Sequence, residues 1–101
     1  MKLSYGQAMD LLAEDRSVKA SEVSARALRR KVWVYGHGQP GCMYDSGPYY
    51  TDTKASAIAC VVGLLADDDC KGAVTALRRA HVFSNSYGVA TIAGTTLGSI
   101  L

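Results

Sequence analysis

The sequence predicts a single compact α+β domain over residues 1–101, a small, mainly antiparallel sheet with amphipathic helices packed on one face. Three observations lead there. A chain of 101 residues has room for one core and no second. Apolar residues recur at helical spacing in four stretches, while β-branched and aromatic runs fall between them. Clusters of Gly, Pro and Ser punctuate the strand-like part. The predicted order is α-α-β-β-α-α-β.

The first helix is expected over residues 5–14. Ser4 and Gln7 have the spacing of a capping box, with Leu3 placed to staple against Ala8. Tyr5, Ala8, Met9 and Leu12 then fall on one face. After the polar break EDRS, Ala20, Val23 and Ala27 keep helical spacing, and Arg29, Arg30 and Lys31 suit a helix C-terminus. This predicts a helix over 20–30, against a competing reading of Ser17–Ala20 as a short strand.

Val32–Tyr35 reads as a strand. GHGQPG is a turn cluster, because Gly supplies positive φ and Pro fixes its own. Cys42–Asp45 is expected to return as a second strand. Ser46-Gly47-Pro48 reads as another turn, with Tyr49–Thr51 extending the sheet. Thr51, Asp52 or Thr53 then caps a helix whose face is traced by Ala55, Ile58, Ala59, Val62 and Leu65. Asp67–Asp69 end it and suit the start of the next helix, where Cys70, Ala73, Val74 and Leu77 form a stripe and Arg78 and Arg79 occupy the last turn. No charged residue follows Arg79. Val82–Phe83 and a Ser-Asn-Ser turn lead to a strand at about 88–93, with 95–101 extending it or standing apart.

Composition narrows the function classes. At 49% hydrophobic and 20% charged residues the chain is globular rather than disordered. A net charge of +2 does not by itself imply nucleic acid or membrane. Three cysteines without a CxxC argue against a disulfide framework or a zinc ribbon, and the start MKLSYGQAMD lacks a signal-peptide core. A cytoplasmic location is therefore expected.

The segment Lys31–Tyr50 concentrates the recognition chemistry. It holds Trp33, the only tryptophan, and Tyr35, Tyr44, Tyr49 and Tyr50, four of the six tyrosines. Rigid amphipathic rings give large contact area at low entropic cost, and arginine joins them at interface hot spots. Trp33, Tyr35, Tyr44, Tyr49, Tyr50, Arg29 and Arg30 are therefore the expected partner-binding residues on an aromatic, Gly-rich hairpin loop.

Other motifs are set against their plainer readings. His37, Cys42 and Asp45 have the residue types of a Cys–His–carboxylate triad, but a flexible loop holds such geometry poorly. His37, Cys42, Cys60, Cys70 and His81 lack the close ligand pairs of structural zinc. Gly36, Gly38 and Gly41 match G-x-G-x-x-G, but no helix opens at the third glycine. Asp67–Asp69 lack the alternating oxygens of a calcium loop. Gly94 and Gly98 form G-x-x-x-G in a stretch shorter than the ~20 residues a membrane span needs. No catalytic group, cofactor or metal is assigned, and no membrane partner.

The general layout resembles, in size and style, the small α+β proteins with which phages and mobile elements block host factors, such as anti-CRISPR proteins. The resemblance implies a non-catalytic inhibitor of a larger protein target in host defence. The alternative is a nucleic-acid-binding protein that uses the basic helix ends (Arg26, Arg29, Arg30, Lys31, Arg78, Arg79) and aromatic stacking. A Cys-dependent enzyme built on Cys42 is the third reading. Self-association as a homodimer is expected through the C-terminal segment, on the premise that its apolar strand is an unpaired edge.

Overall fold

Each end of the first helix is set by its own sequence. Helix α1 (Tyr5–Ala13) starts where Ser4 Oγ accepts the Gln7 N–H at 3.3 Å and Gln7 Oε1 accepts the Ser4 N–H at 2.9 Å. The computed structural model describes residues 2–38, 44–64, 72–85 and 88–101, with backbone alone at 44–46 and 85. Among them four strands form one antiparallel sheet: β1 (Lys31–Gly38), β2 (Tyr44–Thr51), β3 (Val82–Asn85) and β4 (Gly88–Thr96), in the order β2-β1-β4-β3. Helices α2 (Ala25–Leu28), α3 (Lys54–Leu64), α4 (Ala73–Ala80) and α5 (Leu97–Ile100) complete the α+β fold.

The sheet carries core on both sides. Trp33 and Val32 are neighbours in β1, point to opposite faces, and are both buried. On the Trp33 side, Ala57, Ile58 and Val61 of α3 and Ala73 and Leu77 of α4 pack with Ala90 and Ile92 of β4. On the Val32 side, Tyr5, Ala8, Val23, Ala27 and Leu97 form a second cluster, with Met9, Leu12 and Tyr50 against it. Thus α3 and α4 cover one face as expected, while the terminal helices gather at one end of the other. Each fully buried Leu or Val contributes about 1.5–3 kcal/mol, so both clusters matter to a domain of this size.

Several segments depart from expectation for definable reasons. The single helix over 20–30 is instead a 3₁₀ turn at Ala20–Glu22, an extended Val23 and the one-turn α2. Leu3 holds Val23 extended: its N–H donates to Glu22 O, its carbonyl accepts the Ser24 N–H, and Leu3 and Val23 form a parallel bridge. Ser24 then caps α2 by accepting the Ala27 N–H, a competition in which serine disfavours a helix interior. Residues 17–19 form no strand.

Glycines read as turn signals serve another purpose. Gly36 and Gly38 lie inside β1, opposite Thr91 and Val89 of β4. Ser46-Gly47-Pro48 is likewise not a turn but part of β2. The register runs from Tyr35↔Tyr49 to His37↔Ser46, so β2 accommodates an extra residue at Gly47–Pro48, whose peptide bond is cis. A Cβ on Gly47 would lie 3.2 Å from Gly36 Cα, so the close approach of the two strands calls for glycine at 47. Residues 39–43, on which the rest of the expected turn and the start of the expected second strand fall, lie outside the described residues, as do Asp67–Asp69, Cys70 and Leu65.

Helix α3 buries Ala57, Ile58 and Val61, and leaves Ala55 and Ala59 exposed. The face expected from Ala55, Ile58, Ala59, Val62 and Leu65 is rotated, because the segment is apolar nearly all round and the sheet selects the side. Helix α4 begins at Ala73 after a left-handed Gly72, and Val74 is exposed. Strand β4 is central, paired with β1 and β3, so the premise of an unpaired C-terminal edge does not hold. Its continuation docks instead: Leu97 is fully buried, and its N–H donates to Arg30 O at 3.0 Å. The G-x-x-x-G glycines serve this packing, Gly94 beneath the Trp33 indole and Gly98 against the Leu28 carbonyl.

Candidate functional site

Strand β2 is an edge of the sheet, paired with β1 alone. Its cross-strand register sets Tyr49 opposite Tyr35, with ring centroids 5.4 Å apart at 37°. Tyr50, one residue on, points to the other face and packs against the second core. Between these tyrosines and the end of α1 opens a cleft of about 590 Å³, lined by Tyr35, Tyr49, Tyr50, Gly47, Pro48 and Leu12 among others. A second depression of about 420 Å³ adjoins it across Tyr50 and includes Tyr5, Arg30 and Asp52. Arg30 lies over the Tyr5 ring, 4.1 Å from its centroid.

Four of the seven expected partner-binding residues are thus brought together: Tyr35, Tyr49, Tyr50 and Arg30. Tyr49 is the most open of the described tyrosines at 43% exposure. Trp33 is elsewhere. It is 9% exposed in the first core, with its indole edge-on to His81 at 5.6 Å and two lysine ammonium groups over it. Such a ring is a packing element, with no open face to offer a base or a partner. Arg29 is the exposed C-cap of α2, and the Tyr44 side chain lies outside the described residues.

Two phenols here, Tyr35 and Tyr5, hold their protons more tightly than usual. Burial raises Tyr35 to about 12, helped by a hydrogen bond with the Cys60 thiol, by the charge of Cys60 and then by Tyr49. Tyr5 is also raised, by burial first and the Asp52 carboxylate second, against the opposing Arg30 cation. Its hydroxyl donates to Lys31 O at 2.8 Å. A phenol whose folded value exceeds the ordinary 10.0 keeps its proton in the folded chain after the unfolded chain has lost it. Stability is therefore fully present below about pH 10 and falls as pH rises toward about 12. Tyr35→Phe is expected to flatten this alkaline loss, which melting curves across that range and tyrosinate absorbance will measure.

The remaining motifs do not assemble into chemistry among the described residues. No group of three or more His, Cys, Asp or Glu side chains comes together there. His37 lies in β1 against the Gly88 backbone, while Cys42 and the Asp45 side chain lie outside the described residues. No helix there is long and apolar enough to cross a membrane.

Sequence reasoning missed Lys54, and weighed His81 only as a zinc ligand rather than as a neighbour of Trp33. Lys54 Nζ donates to Arg78 O at 2.8 Å and stands 5.6 Å from the Trp33 ring centroid. His81 caps α4 in a left-handed conformation. Neither has a pattern signal, since a lysine after a helix cap and a histidine before a strand are ordinary in sequence. Comparison with protein-family models, with curated proteins and with solved structures finds no match to this chain.

Proposed function

We propose that this chain is a non-catalytic protein-binding module that holds a larger protein target at the β2 edge. The convergence of Tyr35, Tyr49, Tyr50 and Arg30 on two adjoining clefts supports this reading. Tyrosine and arginine together in a concave, mixed-charge surface are the residue types that dominate interface energetics. Pro48 lacks an N–H and the extra residue in β2 breaks its register, so this edge is poorly suited to adding another strand. The partner is held by side chains in the clefts instead. The likeness in size and layout to phage-borne inhibitors makes a host defence protein the partner class to test first.

The structure separates two tyrosines that the sequence treats alike. Tyr49→Ala is expected to abolish partner capture and to cost only about 0.5–1.5 kcal/mol of stability, the worth of its ring pair with Tyr35. Tyr50→Ala is expected to lose roughly 1–3 kcal/mol, because its ring is half-buried against the second core. The measurement is recovery of a stoichiometric partner from bacterial lysate with the tagged chain, with circular dichroism on both variants. A partner that survives nuclease treatment and is lost with Tyr49→Ala supports the reading. Capture that nuclease abolishes would transfer the ligand to nucleic acid, and capture indifferent to Tyr49 would remove the clefts from the interface.

A further inference from the structure

A second surface lies along the outer side of the two helices that cover the Trp33 face of the sheet, and its lining residues differ from those of the tyrosine clefts. Lys54 at the start of α3 meets Arg78 at the end of α4, so these helices run antiparallel. Their outer surfaces enclose a groove of about 420 Å³ lined by Lys54, Ala55, Ile58, Ala59, Val74 and Arg78. Ile58 forms the buried floor, and Val74, at 41% exposure, is the large apolar side chain left open on the wall. Among the described residues, none that lines the groove is anionic.

Its charged end is one-sided. Lys54 spends one proton on Arg78 O and points toward the Trp33 ring, where Lys31 Nζ also stands, 5.2 Å from the centroid. Among the described residues the ion pair is Arg16–Glu14, far along the chain from this end, and none of Lys31, Lys54, Arg78 or Arg79 has a carboxylate within pairing distance. An apolar trough between two antiparallel helices accepts a third helix by ridge-into-groove packing. Cations gathered at one end, with no carboxylate paired to them among the described residues, choose the sign of the charge that helix carries.

The geometry points to the α3–α4 groove as a docking site for an acidic amphipathic helix of a partner protein. Apolar side chains of that helix lie over Ile58 and Val74, and its carboxylates reach Lys54 and Arg78. The site stands whether or not the tyrosine clefts bind anything.

The test is titration of the full chain with a synthetic helical peptide that has leucines on one face and glutamates on the other. A lysine-for-glutamate version and a scrambled version without the leucine face serve as comparison probes. Emission of Trp33, the only tryptophan, is one readout, because engaging Lys54 changes the field at the indole. Fluorescence anisotropy of a dye on the peptide is the other. The acidic amphipathic peptide is expected to bind, to shift the Trp33 emission and to weaken with salt. Val74→Asp and Arg78→Glu are each expected to reduce its affinity by about tenfold or more. Arg78→Glu is further expected to favour the lysine peptide, a gain that a misfolded variant would not show. No binding of the acidic peptide, equal binding of the lysine peptide, or equal binding of the scrambled peptide would each overturn the proposal, the last by revealing a plain polyanion patch. So would a dimer in sedimentation that Val74→Asp disperses, since the groove would then belong to a second copy.

Discussion

Trp33→Ala is expected to cost about 3–5 kcal/mol of folding stability, the range for removing a large aromatic ring from a core. The indole packs with α3, α4 and β4 residues at 9% exposure, and Gly94 leaves the space it fills. Three members of the cluster around it, Ala57, Ala73 and Ala90, are small already and have little side chain with which to fill the gap left by alanine. Two lysines over the ring add about 0.5–1 kcal/mol each at a partly open site, so packing dominates and charge is secondary. A domain of ordinary stability, about 5–15 kcal/mol, would lose a large share of its margin. The urea midpoint followed by circular dichroism is the measurement, with an unchanged slope showing that the loss is one of stability alone. An unaltered midpoint would mean that the ring is a surface group after all, as its aromatic company in the sequence suggests.

That contrast between sequence and structure has a physical origin that recurs along the chain. Helix α1 was legible in full because a capping box and an apolar stripe specify the same residues, and both are local properties. Helix α3 was legible as a helix but not in its orientation, since Ala, Ile, Ala, Cys, Val, Val presents no contrast between its sides. Gly36 and Gly38 announce conformational freedom, yet here they permit another backbone to come close, a use that depends on a strand arriving from elsewhere. The C-terminal segment, free of charge, reads as an edge awaiting a partner. It is uncharged because β4 lies in the middle of the sheet and Leu97 seals the second core. The tyrosine clefts are legible only in part for the same reason. Sequence nominates rings by type, but which of them converge depends on the register between β1 and β2, and an extra residue at Gly47–Pro48 sets that register.

Gly47→Ala is the second change with a large expected effect, because it acts on that register directly. Gly47 has φ +102, a conformation that side chains rarely adopt, which costs about 1–3 kcal/mol for a non-glycine residue. The added Cβ would also lie 3.0 Å from Tyr35 O and 3.2 Å from both Gly36 Cα and Tyr49 N. All three are backbone atoms, so relief requires β1 and β2 to part rather than a side chain to rotate. A loss of about 2 kcal/mol or more is expected, together with loss of partner capture, because Tyr35 and Tyr49 are the two residues displaced. Gly63→Ala provides the opposite sign. Gly63 lies inside α3 with open space where its Cβ would go, so alanine there is expected to stabilise by about 0.5–1 kcal/mol through helix propensity. Combining the two changes distinguishes stability from recognition. If Gly63→Ala offsets part of the stability loss but capture remains absent, the clefts depend on the geometry at Gly47. If capture returns along with stability, the position of Tyr49 was never the determinant, and the interface lies away from the β2 edge.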